Sequence, residues 1–362
     1  MKYAFKEILF YKKKYFLVEG LVILMIFMVM FLSGLTNGLG QAVSSGIERL
    51  DTQYFIINED AEGIIPYSTL TEAQQADILD LDLSDTEGLN IQRSTLTLQG
   101  EKDKLEVTYF VLGNESTLLP KLTTGKSFSS KSNGIVLDES FKADGVEVGD
   151  KVKDKNGETS FVVTGFTKGY MYGHSSVGFI SQASYSSLVK VSNPNYSFSP
   201  QVIVSKDKSL KTATISKAEV KTKSEIINKI PGYSAEQSTL QMILWVLVVA
   251  SVAILAVFFY IITLEKRQQF GVLKAIGMPM STIASQQISQ VFLLSLIGVI
   301  FGDLLSLAMA SILPVKMPFY LQWQNMGIIS LVFVVVTVLS SLVSIHRVSR
   351  IDPVEIINGG EE

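Results

Sequence analysis

Apolar residues are concentrated in four long runs, and stretches of mixed polar and charged residues separate them. A bilayer core about 30 Å thick requires about 20 apolar residues of helix, and each run reaches that length. Their charged residues are Glu19 in the first run and Asp303 in the third. The alternative is that these runs are core helices of a soluble protein. Such helices are rarely this long without a charged residue. We therefore predict four transmembrane helices at 16–39, 237–264, 283–310 and 325–345.

The first run follows a basic segment, as the apolar core of a cleaved signal peptide also would. It is longer than the roughly 7–15 residues of such a core, and no clear A-x-A-like cleavage site comes after it. We interpret it as an uncleaved membrane span.

Lysine and arginine positions predict the orientation of the spans, because both residues are enriched on the cytoplasmic side. They cluster in an amphipathic segment at 1–15, in the loop 265–282 and in the tail 346–362. The loop 311–324 between the third and fourth spans holds a single lysine. We expect both termini and the loop 265–282 to be cytoplasmic, and 40–236 and 311–324 to be extracellular.

The long segment 40–236 has the pattern of a folded domain. Short runs alternate as strands do, Thr71 and Gln74 have the spacing of a helix capping box, and Asn156-Gly157 is a hairpin signal. We expect an α+β domain with small barrel-like or sandwich parts. The predicted strands are 54–57, 91–98, 105–112, 135–137 and 160–167, and the predicted helices are 71–79, 181–189 and 217–229.

Composition excludes several classes of protein. Hydrophobic residues make up 47% of the 362 residues and charged residues only 18%, which disfavours an ordinary soluble enzyme and a disordered chain. There are no cysteines and only two histidines, so disulfide scaffolds, thiolate zinc sites and His-rich metal centres are excluded. The net charge of −3 is too mild for a nucleic-acid-binding protein.

The loop after the second span has the pattern of a short amphipathic helix that lies along the membrane. It reads Glu265-Lys266-Arg267-Gln268-Gln269-Phe270-Gly271-Val272-Leu273-Lys274-Ala275-Ile276-Gly277-Met278, and Gly277 is a natural helix stop. A simple basic membrane anchor is the alternative interpretation.

The stretch Gly271-Val272-Leu273-Lys274-Ala275-Ile276-Gly277 resembles the coupling-helix signature of MacB/FtsX-like ABC transporter permeases. An Asp-Pro motif follows the last membrane span in members of this family. A similar ending is present here as Arg350-Ile351-Asp352-Pro353-Val354-Glu355. One span, a large outer domain and three further spans also match its layout. Within the outer domain, Gly125-Lys126-Ser127-Phe128, Gly149-Asp150 and 163–166 resemble the periplasmic core of MacB.

The resemblance implies a permease subunit that pairs with a second copy and binds two separate ATPase subunits, with no nucleic-acid partner. The implied coupling residues are Phe270, Gly271, Val272, Leu273, Lys274, Ala275, Ile276, Gly277, Asp352 and Pro353, although the last two could form only a helix stop. The nearest candidate phosphate loop, Gly125-Lys126-Ser127, has Pro120 where its first glycine is required. We therefore expect no enzyme activity in this chain, no intrinsic cofactor, and ATP and Mg²⁺ on the partner.

Small residues recur at every fourth position in two of the spans, which lets helices approach closely in lipid. They are Gly34, Gly38, Ala42 and Gly46 in the first span and its extension, and Gly298 and Gly302 in the third. We expect the first row to line a dimer seam and the second to pack within the bundle, with chance spacing as the alternative. Asp303 is either a functional residue or a residue near the outer boundary.

The stretch from Leu32 to Gly40, continuing to 47–50, resembles the first span of the haem-exporting members of this family. The expected substrate is therefore haem or a similar amphiphile, and each candidate aromatic could instead serve packing alone. The candidate substrate residues are Met28, Met30, Glu48, Arg49, Tyr170, Tyr172, His174 and Tyr233. Export or sensing of antimicrobial peptides, and mechanical regulation of cell-wall hydrolases, remain alternatives.

Overall fold

The computed structural model describes residues 7, 9–113, 116–128, 133–155, 159–314 and 317–349. It consists of two compact units: a helical unit, formed by the chain up to Gly38 and from Thr239 onward, and an α+β unit, Leu39–Ser238. The predicted hairpin turn at Asn156-Gly157 and the predicted Asp352-Pro353 motif lie outside the described residues.

Among the residues that the structure describes, four helices are long and apolar enough to cross a membrane. They are α1 (Lys12–Glu48), α5 (Tyr233–Glu265), α7 (Met280–Ile312) and α8 (Trp323–Ser349), and the short helix α6 (Arg267–Ala275) lies between α5 and α7. Each long helix extends beyond the apolar run that predicted it. At a rise of about 1.5 Å per residue, the 37 residues of α1 exceed what a bilayer core requires. Its residues 39–48 belong to the α+β unit.

Close helix contacts in the helical unit depend on glycine. A Cβ atom at Gly302 of α7 would lie 2.7 Å from Ile26 Cγ2 of α1, and one at Gly298 would overlap Val22. The small-residue row of the third span therefore packs within the chain's own bundle, as predicted from its spacing. The half-buried Asp303 of α7 accepts a hydrogen bond from Ser330 Oγ of α8 at 3.0 Å, which gives one carboxylate oxygen a structural partner.

Among the described residues, the α+β unit has eleven strands in one connected sheet. They are β1 (Tyr54–Asn58), β2 (Glu87–Leu98), β3 (Lys104–Leu112), β4 (Leu122–Gly125), β5 (Gly134–Asp138), β6 (Lys151–Asp154), β7 (Ser160–Thr167), β8 (Met171–Tyr172), β9 (Ser175–Ser181), β10 (Val202–Ser205) and β11 (Ala218–Thr222). The main strand order is β11-β1-β10-β2-β3-β9-β5-β7-β4. Because β6 pairs with both β2 and β7, strands β2, β3, β9, β5, β7 and β6 close into a small barrel.

The barrel interior is a buried apolar core that includes Val107, Phe161 and Ile180. Inside it, Tyr109 Oη and Ser94 Oγ donate hydrogen bonds to Asp154 at 2.8 and 2.5 Å. A second core lies between the sheet and the last turns of α1, where Val43 and Ile47 are buried against it. The end of α1 is therefore part of the fold of the α+β unit.

The described part of this unit also contains three short α-helices: α2 (Glu72–Leu79), α3 (Gln182–Lys190) and α4 (Lys223–Lys229). The capping box predicted for α2 is present, with the Thr71 hydroxyl accepting from Gln74 N and the Gln74 side chain accepting from Thr71 N. The predicted helix 217–229 is wrong over its first part. Residues 218–222 form β11, which pairs antiparallel with β1, and a capping box at Thr222 then begins α4.

Candidate functional site

Helix α6 occupies the loop whose sequence resembles a coupling helix. It ends in a Schellman motif, in which Met278 N donates to Leu273 O at 3.0 Å and Gly277 N to Lys274 O at 3.1 Å. Gly277 has φ +91°, a conformation that glycine adopts without steric cost. The helix stop predicted at this glycine is therefore present.

The two faces of α6 differ in chemistry. Phe270 and Gly271 are buried, and Phe270 packs against Ile283 at the start of α7. Val272 and Ile276, four residues apart, are exposed large apolar residues, and Lys274 is exposed as well. Within the helical unit, one side of α6 is therefore buried, and Val272, Lys274 and the following Ile276 lie at the surface.

The residue that begins α6 is a buried cation that the sequence motif did not identify. The Lys266 side chain is 8% exposed, and its Nζ lies 2.5 Å from a Glu7 carboxylate oxygen. It donates to the side-chain oxygens of Gln287 at 3.1 Å and Gln290 at 2.5 Å, and it lies 5.8 Å from the centre of the Tyr15 ring. Lys266 thus joins the N-terminal segment, the start of α6 and helix α7 through one side chain.

A second ion pair, which is exposed, lies near the contacts of Lys266. Lys14 of α1 pairs with Glu265, the last residue of α5. Both pairs connect the chain before the first span to the turn that leads into α6. From sequence alone, Lys266 was counted only among the residues that set orientation, because its partners are remote along the chain.

In the α+β unit, the segment 169–174 lies on the last turns of α1. Met171 N donates to Ser45 Oγ, Gly173 N to Val43 O and His174 N to Ala42 O, each at 3.0 Å. Gly173 and His174 connect β8 to β9, and both have positive φ, as a type I′ hairpin turn requires. The backbone of this segment is therefore held on the helix.

Several of the predicted substrate residues meet at this end of α1. Ser44 Oγ donates to Glu48 Oε1 at 2.6 Å, and the half-buried Tyr233 lies next to both residues. His174 Nε2 lies 3.1 Å from Glu236 Oε2, three residues after Tyr233. Carboxylate, phenol and imidazole groups are thus brought close to one another within the α+β unit.

Arg49 and Tyr170 form a separate contact on the same unit. The Arg49 guanidinium carbon lies 5.7 Å from the centre of the Tyr170 ring, and Tyr170 packs edge-on against Phe179. Burial raises the pKa of Tyr170, and the Arg49 charge opposes that shift. Tyr170 N donates to Asp138 Oδ2 at 2.8 Å, which fixes its backbone.

Two predicted substrate residues are not available to a ligand. Tyr172 is buried against Phe110 in the core beneath α1, and this burial raises the pKa of its phenol. Met30 is fully buried in the core of the helical unit, whereas Met28 is 41% exposed. The expectation that Tyr172 and Met30 contact substrate is corrected for this reason, and Met28 remains accessible.

The glycine row of α1 has contacts within the chain that account for its spacing. A Cβ atom at Gly34 would lie 2.5 Å from Phe319 Cζ, and one at Gly38 would overlap the backbone of Pro318. In the α+β unit, a Cβ at Gly46 would lie 2.9 Å from Met171 O, and Ala42 accepts the hydrogen bond from His174. A dimer seam is not needed to explain these residues, and pairing of two copies stays a prediction.

Comparison with known proteins identifies the family. The model of the FtsX-like permease C-terminal family matches residues 242–353. A protein of Staphylococcus haemolyticus is 30% identical over 361 residues, with 100% of both chains covered. The chain belongs to the FtsX-like family of ABC transporter permeases. A Staphylococcus epidermidis protein is 29% identical over the same length, and both relatives carry the provisional name hemin transport system permease protein HrtB.

This FtsX-like permease is accordingly a multi-pass protein of the bacterial cell membrane and the membrane subunit of an ABC transporter, which works with a partner ATPase subunit. It has four membrane-spanning helices and a large α+β domain between the first and second. The extracellular domain of the noncanonic ABC-type transporter YknZ from Gram-positive bacteria aligns with 43% of this chain and 83% of its own, at 14% identity. The TM-score of 0.30 is too low to support a conclusion.

Proposed function

We propose that this FtsX-like permease exports haem from the membrane, driven by a separate ATPase. The similarity over 100% of the chain to relatives named for hemin transport supports this proposal. The structural observation that carries it is the group formed by Glu48, Tyr233 and the His174–Glu236 pair at the end of α1.

The chemistry of this group suits ferric haem as a substrate. Haem iron accepts tyrosine and histidine ligands, and both side chains are present. A tyrosine ligand must lose its phenolic proton when it binds ferric iron, and the Glu48 carboxylate lies next to Tyr233. His174 is held in position by the hairpin turn and by Glu236. In this proposal Tyr233 binds iron, Glu48 accepts its proton, and His174 is the second candidate ligand.

The proposed transporter complex contains two copies of this permease and two ATPase subunits, and the ATPase subunits bind ATP and Mg²⁺. Both termini and α6 lie in the cytoplasm, and the α+β domain lies outside the cell. The exposed Val272 and Lys274 of α6 and the following Ile276 contact the ATPase, and Lys266 passes the movement of α6 to α7 and to the N-terminal segment. The support for this arrangement is the two-faced helix and the buried cation at its start.

A spectral titration tests the proposed substrate. Purified full-length permease is titrated with ferric haemin, and the Soret band is recorded for wild type and for Glu48→Gln, Tyr233→Phe and His174→Gln. We expect a saturable shift in the wild type and a loss or change of the shift in Tyr233→Phe. Tyr67→Phe is the matched control, because the Tyr67 side chain is 74% exposed and outside the group.

The titration also separates the alternatives. If the wild type gives no saturable shift, haem is not the substrate, and peptide-dependent ATPase activity is the next test. Wild-type binding that survives all three substitutions would leave haem as the substrate and refute this site. Cell-chaining defects without any efflux would favour the regulator of cell-wall hydrolases.

A further inference from the structure

A cavity of about 480 Å³ lies in the α+β unit beside the residue that follows α1. Its polar lining includes three cations, Arg49, Lys121 and Lys168, together with Asp51. Asp51 already has a partner, because Lys206 Nζ lies 2.6 Å from its carboxylate. Within the part of the chain that the structure describes, none of the three cations makes an ion pair, although the Glu139 carboxylate interacts with Lys168 from beside the lining residue Thr123. The lining itself holds three cations and one carboxylate, so it carries more positive than negative charge.

Arg49 is held towards this cavity by its neighbours. Gly169 has φ +75°, and a Cβ atom there would lie 2.9 Å from Arg49 Nη2, so the guanidinium occupies space that a side chain would fill. The Tyr170 ring lies on another side of the guanidinium at 5.7 Å. The charge is thus positioned before any ligand arrives, which reduces the entropy lost on binding.

The remaining lining of the cavity is largely apolar and structurally fixed. Leu118 is buried, Leu119 and Leu122 pack against the core beneath α1, and Tyr170 forms part of the wall. Lys121 O accepts a hydrogen bond from Thr167 Oγ1 at 3.0 Å, which attaches this wall to β7. An apolar wall with a few convergent charged groups is typical of a small-molecule site.

We propose that this cavity binds an amphiphilic anion, with its acidic groups on Arg49, Lys121 and Lys168 and its apolar body on the leucine wall. A porphyrin with two carboxylates and an anionic lipid headgroup both have this chemistry. If the ligand is a porphyrin, the proposal rests on the proposed function. The carboxylate edge of the exported molecule then binds in this cavity. Guanidinium and ammonium groups together bind carboxylate or phosphate oxygens through charge-assisted hydrogen bonds.

Binding to the full-length permease in phosphatidylcholine nanodiscs tests the proposal. The probe is metal-free deuteroporphyrin, which has no iron to ligate, and its fluorescence gives the dissociation constant. The double variant Lys121→Gln/Lys168→Gln should bind about tenfold more weakly, the scale expected for two exposed ion pairs. The dimethyl ester of the same porphyrin should bind weakly to the wild type and be unaffected by the substitutions.

The matched control is Lys104→Gln/Lys153→Gln, which removes the same charge from exposed strand positions outside the cavity. A parallel arm measures binding to phosphatidylglycerol vesicles. Selective weakening in either arm supports the cavity and identifies the source of the anion. Equal binding of wild type, control and double variant in both arms overturns it. Haemin titration and export are measured separately, so a failed cavity with intact export leaves the proposed function standing.

Discussion

Lys266 in the helical unit and Arg49 in the α+β unit show two uses of a cation. Lys266 is 8% exposed and contacts Glu7, Gln287 and Gln290. Arg49 is exposed, contacts Gly169 and the ring of Tyr170, and lines a cavity. The buried Lys266 connects three segments of the helical unit through its contacts. The exposed Arg49 makes no ion pair among the described residues, and in our proposal it binds the acidic group of a ligand.

We expect the largest effect from a substitution that breaks the C-terminal end of α6 in the helical unit. Ala275→Pro removes the backbone donor of the last residue of α6, and its ring disfavours helical geometry at Lys274. We expect membrane insertion to persist while haem export and permease-stimulated ATPase activity are both lost. Ala275→Ser, which keeps the backbone N–H, is the control. Normal efflux and normal ATPase stimulation in Ala275→Pro would show that α6 is not the coupling element.

The next largest effect concerns the buried cation. Lys266→Met removes the cation that contacts Glu7, Gln287 and Gln290 and should destabilise the helical unit by about 2 kcal/mol, within the range for lost hydrogen bonds to a charged group. Both tryptophans, Trp245 and Trp323, belong to this unit, so their fluorescence during thermal unfolding reports on it. Lys274→Met is the control at an exposed lysine of α6. Equal unfolding temperatures for the two variants would contradict the structural role of Lys266.

Alanine substitutions at two glycines of α1 are expected to change the stability of the helical unit in opposite directions. Alanine is about 1 kcal/mol better than glycine inside a helix, so Gly20→Ala, with nothing within 4 Å of its added carbon, should stabilise the helical unit. Gly38→Ala should destabilise it, because the added carbon overlaps Pro318. Thermal unfolding of the two variants decides this.

Cross-linking tests whether the small-residue row of α1 also forms an interface between two copies of the permease. The chain has no native cysteine, so single cysteines at 34–46 report on pairing without background. Disulfide-linked dimers would support a seam at α1. Their absence at every position would restrict the glycine row to contacts within one chain.

The smallest expected effect is at Gly169. Gly169→Ala places a carbon against the Arg49 guanidinium at a positive φ, which should cost about 1 kcal/mol in the α+β unit. Porphyrin affinity should fall with it, because Arg49 loses its position. Gly100→Ala, which has a similar φ and open space around it, is the control for backbone strain alone. The same loss of affinity in both variants would argue against a positioned Arg49.

Features that depend on local sequence could be predicted, and features that depend on distant partners could not. Long apolar runs predicted the four long helices, and the three-residue spacing of Thr71 and Gln74 predicted a cap. The sequence of 218–222 predicts helix, because nothing local to it shows that the segment pairs with β1.

The candidate site follows the same division. The stop at Gly277 was visible in the sequence, but the burial of Lys266 depends on Glu7, Gln287 and Gln290, which are remote along the chain. Residue type alone nominated Tyr172 as a ligand. Only the packing against Phe110 shows that it belongs to the core.

Movement of haem by the assembled transporter tests the central claim most directly. The permease and its ATPase subunit are placed in proteoliposomes loaded with haemin, and membrane-bound haemin is followed after ATP is added. We predict ATP-dependent loss of haemin with the wild type, and no loss with Glu48→Gln/Tyr233→Phe despite basal ATP hydrolysis. ATP hydrolysis by the wild-type assembly without any movement of haemin would contradict the account.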